Sequence, residues 1–179
     1  MYKVIVVDDE PSASRHIAMI IDKYCSNYQV VATAENGQDA MEKIKDKDCD
    51  ILITDVCMPL MDGIELIEWL DGQGLKIKTI VTSGYQEFDY VQKAINLGAS
   101  SYLLKPVVPN NMSATLQKLE VELDRDYRHN QIQLFNAFYY NESYNPELVK
   151  KVFPYDDYYL AVKRKNGLPT RYNKKSSLE

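Results

Sequence analysis

The sequence has no apolar run approaching membrane-spanning length, and its N-terminus enters a strand-like pattern at once, without a basic start or a cleavage motif. Both absences speak against a membrane-inserted or exported protein and make the cytoplasm the expected location. Cysteine is scarce: Cys25, Cys49 and Cys57 are an odd set with neither a Cys-x-x-Cys pair nor a metal-ligand spacing. A disulfide framework and a structural zinc site are therefore not expected. Internal repeats and low-complexity stretches are also missing, so no repeat architecture is expected.

What is present is an ordinary globular composition, 45% hydrophobic and 26% charged over 179 residues. That length suits one domain of common size with an appendage. The net charge of −5 is uneven: residues 1–109 carry 10 basic and 17 acidic side chains, whereas 110–179 carry 11 and 9. The two parts are expected to do different jobs.

The run Val4-Ile5-Val6-Val7 reads as a strand buried on both faces, and it ends abruptly in Asp8-Asp9-Glu10. Pro11 then suits the first turn of a helix carrying Ile17, Ile20, Ile21 and Tyr24 at helical spacing. Tyr28 to Ala34 is β-rich and meets the turn signal Glu35-Asn36-Gly37, after which Ala40, Met41 and Ile44 mark a second helix. Ile51 to Asp55, a helix from Ile64 to Leu70, a strand from Ile77 to Ser83, a helix from Phe88 to Leu97 and a strand from Ser101 to Leu104 follow. Alternating strands and helices imply a parallel sheet with right-handed crossovers, whose ligand crevice lies beyond the carboxyl ends of the strands. From Asn110, Met112, Leu116, Leu119, Leu123, Tyr127, Leu134 and Phe138 recur at a spacing near four, interrupted around Arg128-His129-Asn130. The fifth helix is thus expected to outlive the sheet, its apolar stripe either folded against the same chain or paired with a second copy. The expected organisation is a domain over residues 1–120, an extension of the fifth helix or linker over 121–145, and an incomplete or partly ordered start of a further region over 146–179. Within the last, Glu147 to Phe153 reads as a short helix and Tyr158 to Val162 as a strand.

The strand ends carry the chemistry. Asp8 and Asp9 follow the first strand, Asp55 closes the third, and Lys105-Pro106 follows the fifth. Carboxylates crowded in a dry crevice repel unless protonated or joined by a cation, and oxygen donors favour Mg2+. On this reading Asp9 and Asp55 are direct ligands and Asp8 holds a coordinated water. Lys105 adds a second positive charge, and Thr82 or Ser83 offers a hydroxyl. Asp55, in the middle of the acids, is the candidate nucleophile that would become an aspartyl-phosphate. Asp8, Asp9 or Asp62 capping a helix, and Lys105 as a surface lysine, are the plainer alternatives.

Val6-Val7-Asp8-Asp9-Glu10-Pro11, Thr54-Asp55-Val56-Cys57-Met58-Pro59 with Asp62-Gly63, Thr82-Ser83-Gly84-Tyr85, and Tyr102-Leu103-Leu104-Lys105-Pro106, in this order, resemble the receiver domain of bacterial two-component response regulators. The resemblance covers residues 1 to about 120. It implies a doubly wound, flavodoxin-like α/β fold, five parallel strands in the order 2-1-3-4-5, here with a C-terminal helical extension. It also implies that Asp55 is the phosphoacceptor, served by a phosphohistidine on a sensor histidine kinase. Asp8, Asp9 and the backbone carbonyl of Cys57 would surround Mg2+ beside Asp55. Ser83 would be the switch hydroxyl, favoured over Thr82 by its spacing to Lys105 and the small Gly84 that follows. Tyr102 would be the switch aromatic, Lys105 the phosphate-contacting lysine, and Lys105–Pro106 a cis peptide. Cys57 and Tyr85 flank the site and would tune the lifetime of the acyl phosphate. Such a domain catalyses its own phosphorylation and dephosphorylation without turning over an external small substrate.

Phosphorylation is expected to favour a homodimer through the fourth helix, fifth strand and fifth helix. The phrases around Gly84-Tyr85 and Leu104-Lys105-Pro106-Val107 are similar to receivers joined to a helix-turn-helix DNA-binding region of the arabinose-regulator type. No paired-helix reader occurs in 110–179, so DNA contact would depend on a region missing from this chain, and transcription regulation would be its output. A stand-alone receiver acting by protein contact is the alternative. A flavodoxin-type nucleotide binder is disfavoured because Asp8-Asp9-Glu10 would repel a phosphate. A Mg2+-dependent phosphatase of the haloacid-dehalogenase type is disfavoured because Cys57 stands where that family has its second acid.

Overall fold

Four branched residues in succession can be buried only where a sheet is covered on both faces, and in the computed structural model Val4, Ile5, Val6 and Val7 are all buried. The structure describes residues 1–84 and 88–140, with Ser143, Pro146, Val149 and Val152 beyond them; for residues 88–91 and 138–139 it describes the backbone alone. The elements are β1 (Tyr2–Val7), α1 (Pro11–Tyr24), β2 (Tyr28–Ala34), α2 (Gly37–Asp46), β3 (Ile51–Asp55), α3 (Gly63–Gly72), β4 (Lys78–Ser83), α4 (Phe88–Asn96), β5 (Ser101–Leu104) and α5 (Pro109–Tyr140). The five strands pair in parallel in the order β2-β1-β3-β4-β5, the expected doubly wound arrangement.

Strand alternation divides the core. Val4 and Val6 join Ile51 and Ile53 on the face covered by Ile17, Ile20 and Ile21 of α1 and Met112, Leu116 and Leu119 of α5. Ile5, Val7 and Leu52 point the other way, onto Ala40 and Ile44 of α2 and Leu66 and Leu70 of α3. Successive side chains of a strand face opposite sides, so one apolar run serves both layers.

Helix starts are set by acids and amides. Asn36 accepts from the Asp39 N–H, so the expected turn at Glu35-Asn36-Gly37 is a helix cap, with Gly37 as the first residue of α2. Asp62 and Glu65 form a reciprocal capping box on α3, which gives Asp62 the plainer of its two readings. β4 begins at Lys78 rather than Ile77 and α4 ends at Asn96 rather than Leu97, because the Ile77 N–H turns back to Leu75 and Gly98 leaves the helix at φ 89°. α5 runs unbroken through Arg128-His129-Asn130. The apolar spacing lapses there, but no proline or glycine interrupts the chain, and backbone hydrogen bonding continues without an apolar face.

The chain divides into two compact units, Met1–Asp126 and Tyr127–Glu179. In the first, α5 is fastened to the amino ends of the strands. The Tyr28 hydroxyl donates to the Leu116 carbonyl at 2.8 Å, Asn27 Nδ2 to Glu120 at 2.8 Å, and the Tyr2 hydroxyl to Asp124. Lys78 Nζ pairs with Glu122 and Asp126 at 3.1 and 3.2 Å. Burial, and then the adjoining carboxylates, push both phenols above their ordinary pKa, so they stay protonated donors. In the second unit Leu134 and Ala137 are buried, and the Tyr127 hydroxyl donates to the Val152 carbonyl at 2.7 Å. The expected Glu147–Phe153 helix lies mostly, and the Tyr158–Val162 strand wholly, outside the described residues. Among the described residues no helix is long and apolar enough to cross a membrane.

Tyr28→Phe removes the hydroxyl but leaves the ring in place. The Leu116 carbonyl still has its helical partner, so the loss should be about 1 kcal/mol, read as a lowered urea midpoint with an unchanged slope.

Candidate functional site

Because β1 and β3 are hydrogen-bonded neighbours, with Val7 opposite Thr54, the residues that leave them arrive side by side. Asp8 is 1% exposed and Asp55 7%, whereas Asp9 is exposed. One carboxylate oxygen from each of Asp8, Asp9 and Asp55 lies within 4.8 Å of the others. The crevice falls beside the switch point of the strand order, where ligands of open α/β sheets bind.

Lys105, just past β5, reaches across β4 to this cluster. Its Nζ lies 2.8 Å from Asp55 Oδ2 and 2.9 Å from Asp8 Oδ2. The backbone behind it is held by its own N–H, which donates to the Ser83 carbonyl at 2.8 Å, and Lys105–Pro106 is cis. The other Asp55 oxygen, Oδ1, accepts from the Val56 N–H at 2.8 Å. Asp8 Oδ1 accepts from the N–H of Glu10, the residue before α1, at 3.0 Å, and its Oδ2 faces the ammonium; no side chain among the described residues caps the start of α1.

Burial pushes the Asp55 carboxyl above its ordinary pKa; the Lys105 ammonium opposes this and the Asp8 charge adds to it. Burial alone would lower Lys105, but its bonds to Asp55 and Asp8 outweigh that and raise it. Asp8 and Asp55 share the ammonium and Asp9 lies beside them, so three carboxylates against one ammonium leave two negative charges unbalanced, the charge of one divalent cation. The donor set, all carboxylate oxygen, fits a hard cation.

The two candidate hydroxyls differ. Thr82 Oγ1 donates to the Thr54 carbonyl at 3.3 Å and is committed to the sheet. Ser83 is fully buried, and its Oγ has no hydrogen-bond partner among the described residues. A buried hydroxyl left unpaired is costly, which sets Ser83 apart from Thr82. Cys57 lies exposed two residues past Asp55, in the loop that leads to α3. Tyr102 is 43% exposed on β5, outside the cluster. Tyr85 lies outside the described residues.

The sequence marked Gly63 only as part of the Asp62-Gly63 motif, and its contact with Asp55 was missed. A Cβ built on Gly63 would stand 2.1 Å from the Asp55 carbonyl oxygen, so the start of α3 rests directly on the backbone of Asp55. The Gly63 N–H also donates to the Val56 carbonyl at 2.9 Å. The available signal was a glycine directly after the capping Asp62, a place where a helix start can approach another backbone.

A family model for the response regulator receiver domain matches residues 4–117. YesN, a transcriptional regulatory protein of Bacillus subtilis, is 38% identical over 129 residues, 72% of this chain and 35% of that protein. HptR, a transcriptional regulatory protein of Staphylococcus aureus, is 29% identical over 160 residues, 89% of this chain and 60% of that protein. The chain thus spans about a third to three fifths of the length of these curated relatives. Among solved structures, the REC domain of AraT, a response regulator from Geobacillus stearothermophilus, aligns with a TM-score of 0.65 at 36% identity, covering 70% of this chain and 97% of that one. A CheY-like receiver domain protein from Methanospirillum hungatei aligns with a TM-score of 0.61 at 25% identity, covering 72% and 98%.

Two outcomes follow from the geometry. Gly63→Ala should lower stability by roughly 3 kcal/mol, because the obstacle is backbone rather than a side chain that can swing away; urea denaturation measures it. For Asp55 the folded-state pKa lies above the unfolded value, so between the two the folded chain holds a proton that the unfolded chain has released. Stability from this group therefore falls as pH rises through that window. In EDTA, Asp55→Asn should be more stable than wild type at pH 7.5, and the difference should shrink as the pH is lowered through the window.

Proposed function

The chain belongs to the response regulator receiver domain family of two-component systems, and on that premise we propose that Asp55 is its phosphoacceptor. The observation that carries the reading is the Lys105 ammonium spanning Asp55 and Asp8 at the carboxyl edge of the sheet. A carboxylate oxygen of Asp55 attacks the phosphorus of a phosphohistidine on a sensor histidine kinase. The P–N bond breaks, its electron pair returns to the imidazole, and a mixed anhydride, the aspartyl-phosphate, remains. Lys105 moves with the charge and contacts the phosphoryl oxygens.

Asp8, Asp9, Asp55 and the backbone carbonyl of Cys57 would hold Mg2+. When bound, the ion neutralises charge on the phosphoryl group during transfer. The hydroxyl of Ser83, buried and without a partner among the described residues, is suited to donate to the new phosphoryl group. Tyr102, exposed on β5, would then turn inward to fill the space that the hydroxyl leaves. Cys57, and Tyr85 beyond the described residues, would govern the approach of water and so the lifetime of the anhydride.

The surface that this switch would remodel is apolar. Ile95 on α4, Leu97 just after it, Tyr102 and Leu104 on β5, and Val108 before α5 are all exposed large hydrophobic residues. Apolar patches of this kind mark interaction surfaces, which supports a phosphorylation-favoured homodimer through α4, β5 and α5. The relatives' names and the fraction of their length that this chain spans support an output in transcription, exerted by a DNA-binding region outside this sequence.

Incubation with acetyl phosphate should add one phosphoryl group to the intact mass only when Mg2+ and Asp55 are both present. Asp55→Asn should take none, and addition without Mg2+ or without Asp55 would refute the assignment. Beryllofluoride should raise the sedimentation coefficient from monomer to dimer; an unchanged value would remove the proposed interface.

A further inference from the structure

α1 grips the loop that carries Lys105. His16 lies on the exposed side of α1, and its Nε2 is 3.0 Å from the backbone carbonyl oxygen of Val107. A carbonyl only accepts, so the ring donates from Nε2. Val107 stands two residues past Lys105 and one before Val108, whose carbonyl accepts the Met112 N–H in the first turn of α5. Between these points Pro106 has no N–H to give. The Val107 side chain is buried in the same cluster as Ile17, the residue next to His16, so α1 meets this loop through one apolar and one polar contact.

The Lys105 ammonium must satisfy two fixed carboxylates at once, at 2.8 and 2.9 Å. A lysine stem tolerates a displaced backbone while keeping one such contact, but keeping both sets a narrow position for its Cα. We infer that His16 is a positioning residue for Lys105: by holding the Val107 carbonyl it fixes the far side of the loop whose near side the Lys105 N–H holds on Ser83, and so the backbone from which Lys105 spans Asp8 and Asp55. This deepens the phosphoacceptor reading and rests on it. His16 touches no reacting atom and acts only through Val107 and Lys105.

The test uses the full chain with His16→Leu, His16→Asn and His16→Gln. A glutamine amide nitrogen reaches about as far as the imidazole Nε2, whereas an asparagine reaches only as far as Nδ1. The rate of phosphorylation by acetyl phosphate with Mg2+ should fall about fivefold in His16→Leu and His16→Asn, the size that one hydrogen bond supports, and return to within about twofold in His16→Gln. In a Lys105→Ala background His16→Leu should have no further effect. The NMR signal of the Lys105 ammonium, which needs no phosphoryl donor, should shift in His16→Leu and be restored in His16→Gln. An unchanged rate and signal in His16→Leu would overturn the inference, as would an equal loss in the Lys105→Ala background. A wild-type chain that takes no phosphoryl group, but whose Lys105 signal follows His16 in this way, would sink the phosphoacceptor reading and leave the positioning role standing.

Discussion

The Lys105 ammonium holds two buried carboxylates together, and the fold is arranged so that it can. Asp8 and Asp55 are forced into proximity because β1 and β3 are neighbours, and two carboxylates away from water repel each other. The cation that offsets this comes from β5, which is separated from β3 by the whole width of β4. Only a long side chain returns across that gap, past the small Ser83 that ends β4 and the Gly84 that follows it. Removing Lys105 would leave two buried carboxylates without their cation, whereas removing one carboxylate relieves their repulsion and leaves an ion pair, so the response depends on which charge is lost.

Strand identity and order were legible because an apolar run that stops in acids fits a covered parallel strand and little else. Val4 to Val7 and Ile51 to Asp55 are buried along their whole length, and the five-strand order follows the one that the family resemblance implied. The meeting of Asp8, Asp9, Asp55 and Lys105 was legible for the same reason, since each sits at the carboxyl end of a strand. What escaped notice was contact across the fold by groups without a periodic signature. Gly63 against the Asp55 carbonyl depends on the absence of a side chain, and His16 against the Val107 carbonyl joins positions 91 apart in sequence. The extension of α5 beyond the sheet was legible from the apolar residues on either side of Arg128, and its continuity across the lapse between them depends on backbone bonding.

Asp62 and Asp8 show how the plain and the chemical readings of an acid are separated. Asp62 spends its carboxylate on the Glu65 N–H in a capping box. Asp8 uses one oxygen on the Glu10 N–H, just ahead of α1 and without capping it, and has a second oxygen left for Lys105. An acid at a helix start is thus structural or functional according to where its second oxygen points, which a sequence does not reveal.

The fastening of α5 lies at the opposite edge of the sheet from the acids. Tyr2, Asn27, Tyr28 and Lys78, at or before the amino ends of their strands, hold Glu120, Glu122 and Asp124, and none of them belongs to the cluster around Asp55. None of these moorings touches Asp8, Asp9 or Asp55, so the bonds that hold this stretch of the helix and those that hold the acids share no side chain. Anchorage of the helix and the chemistry of the crevice are thus properties of opposite edges of one small sheet.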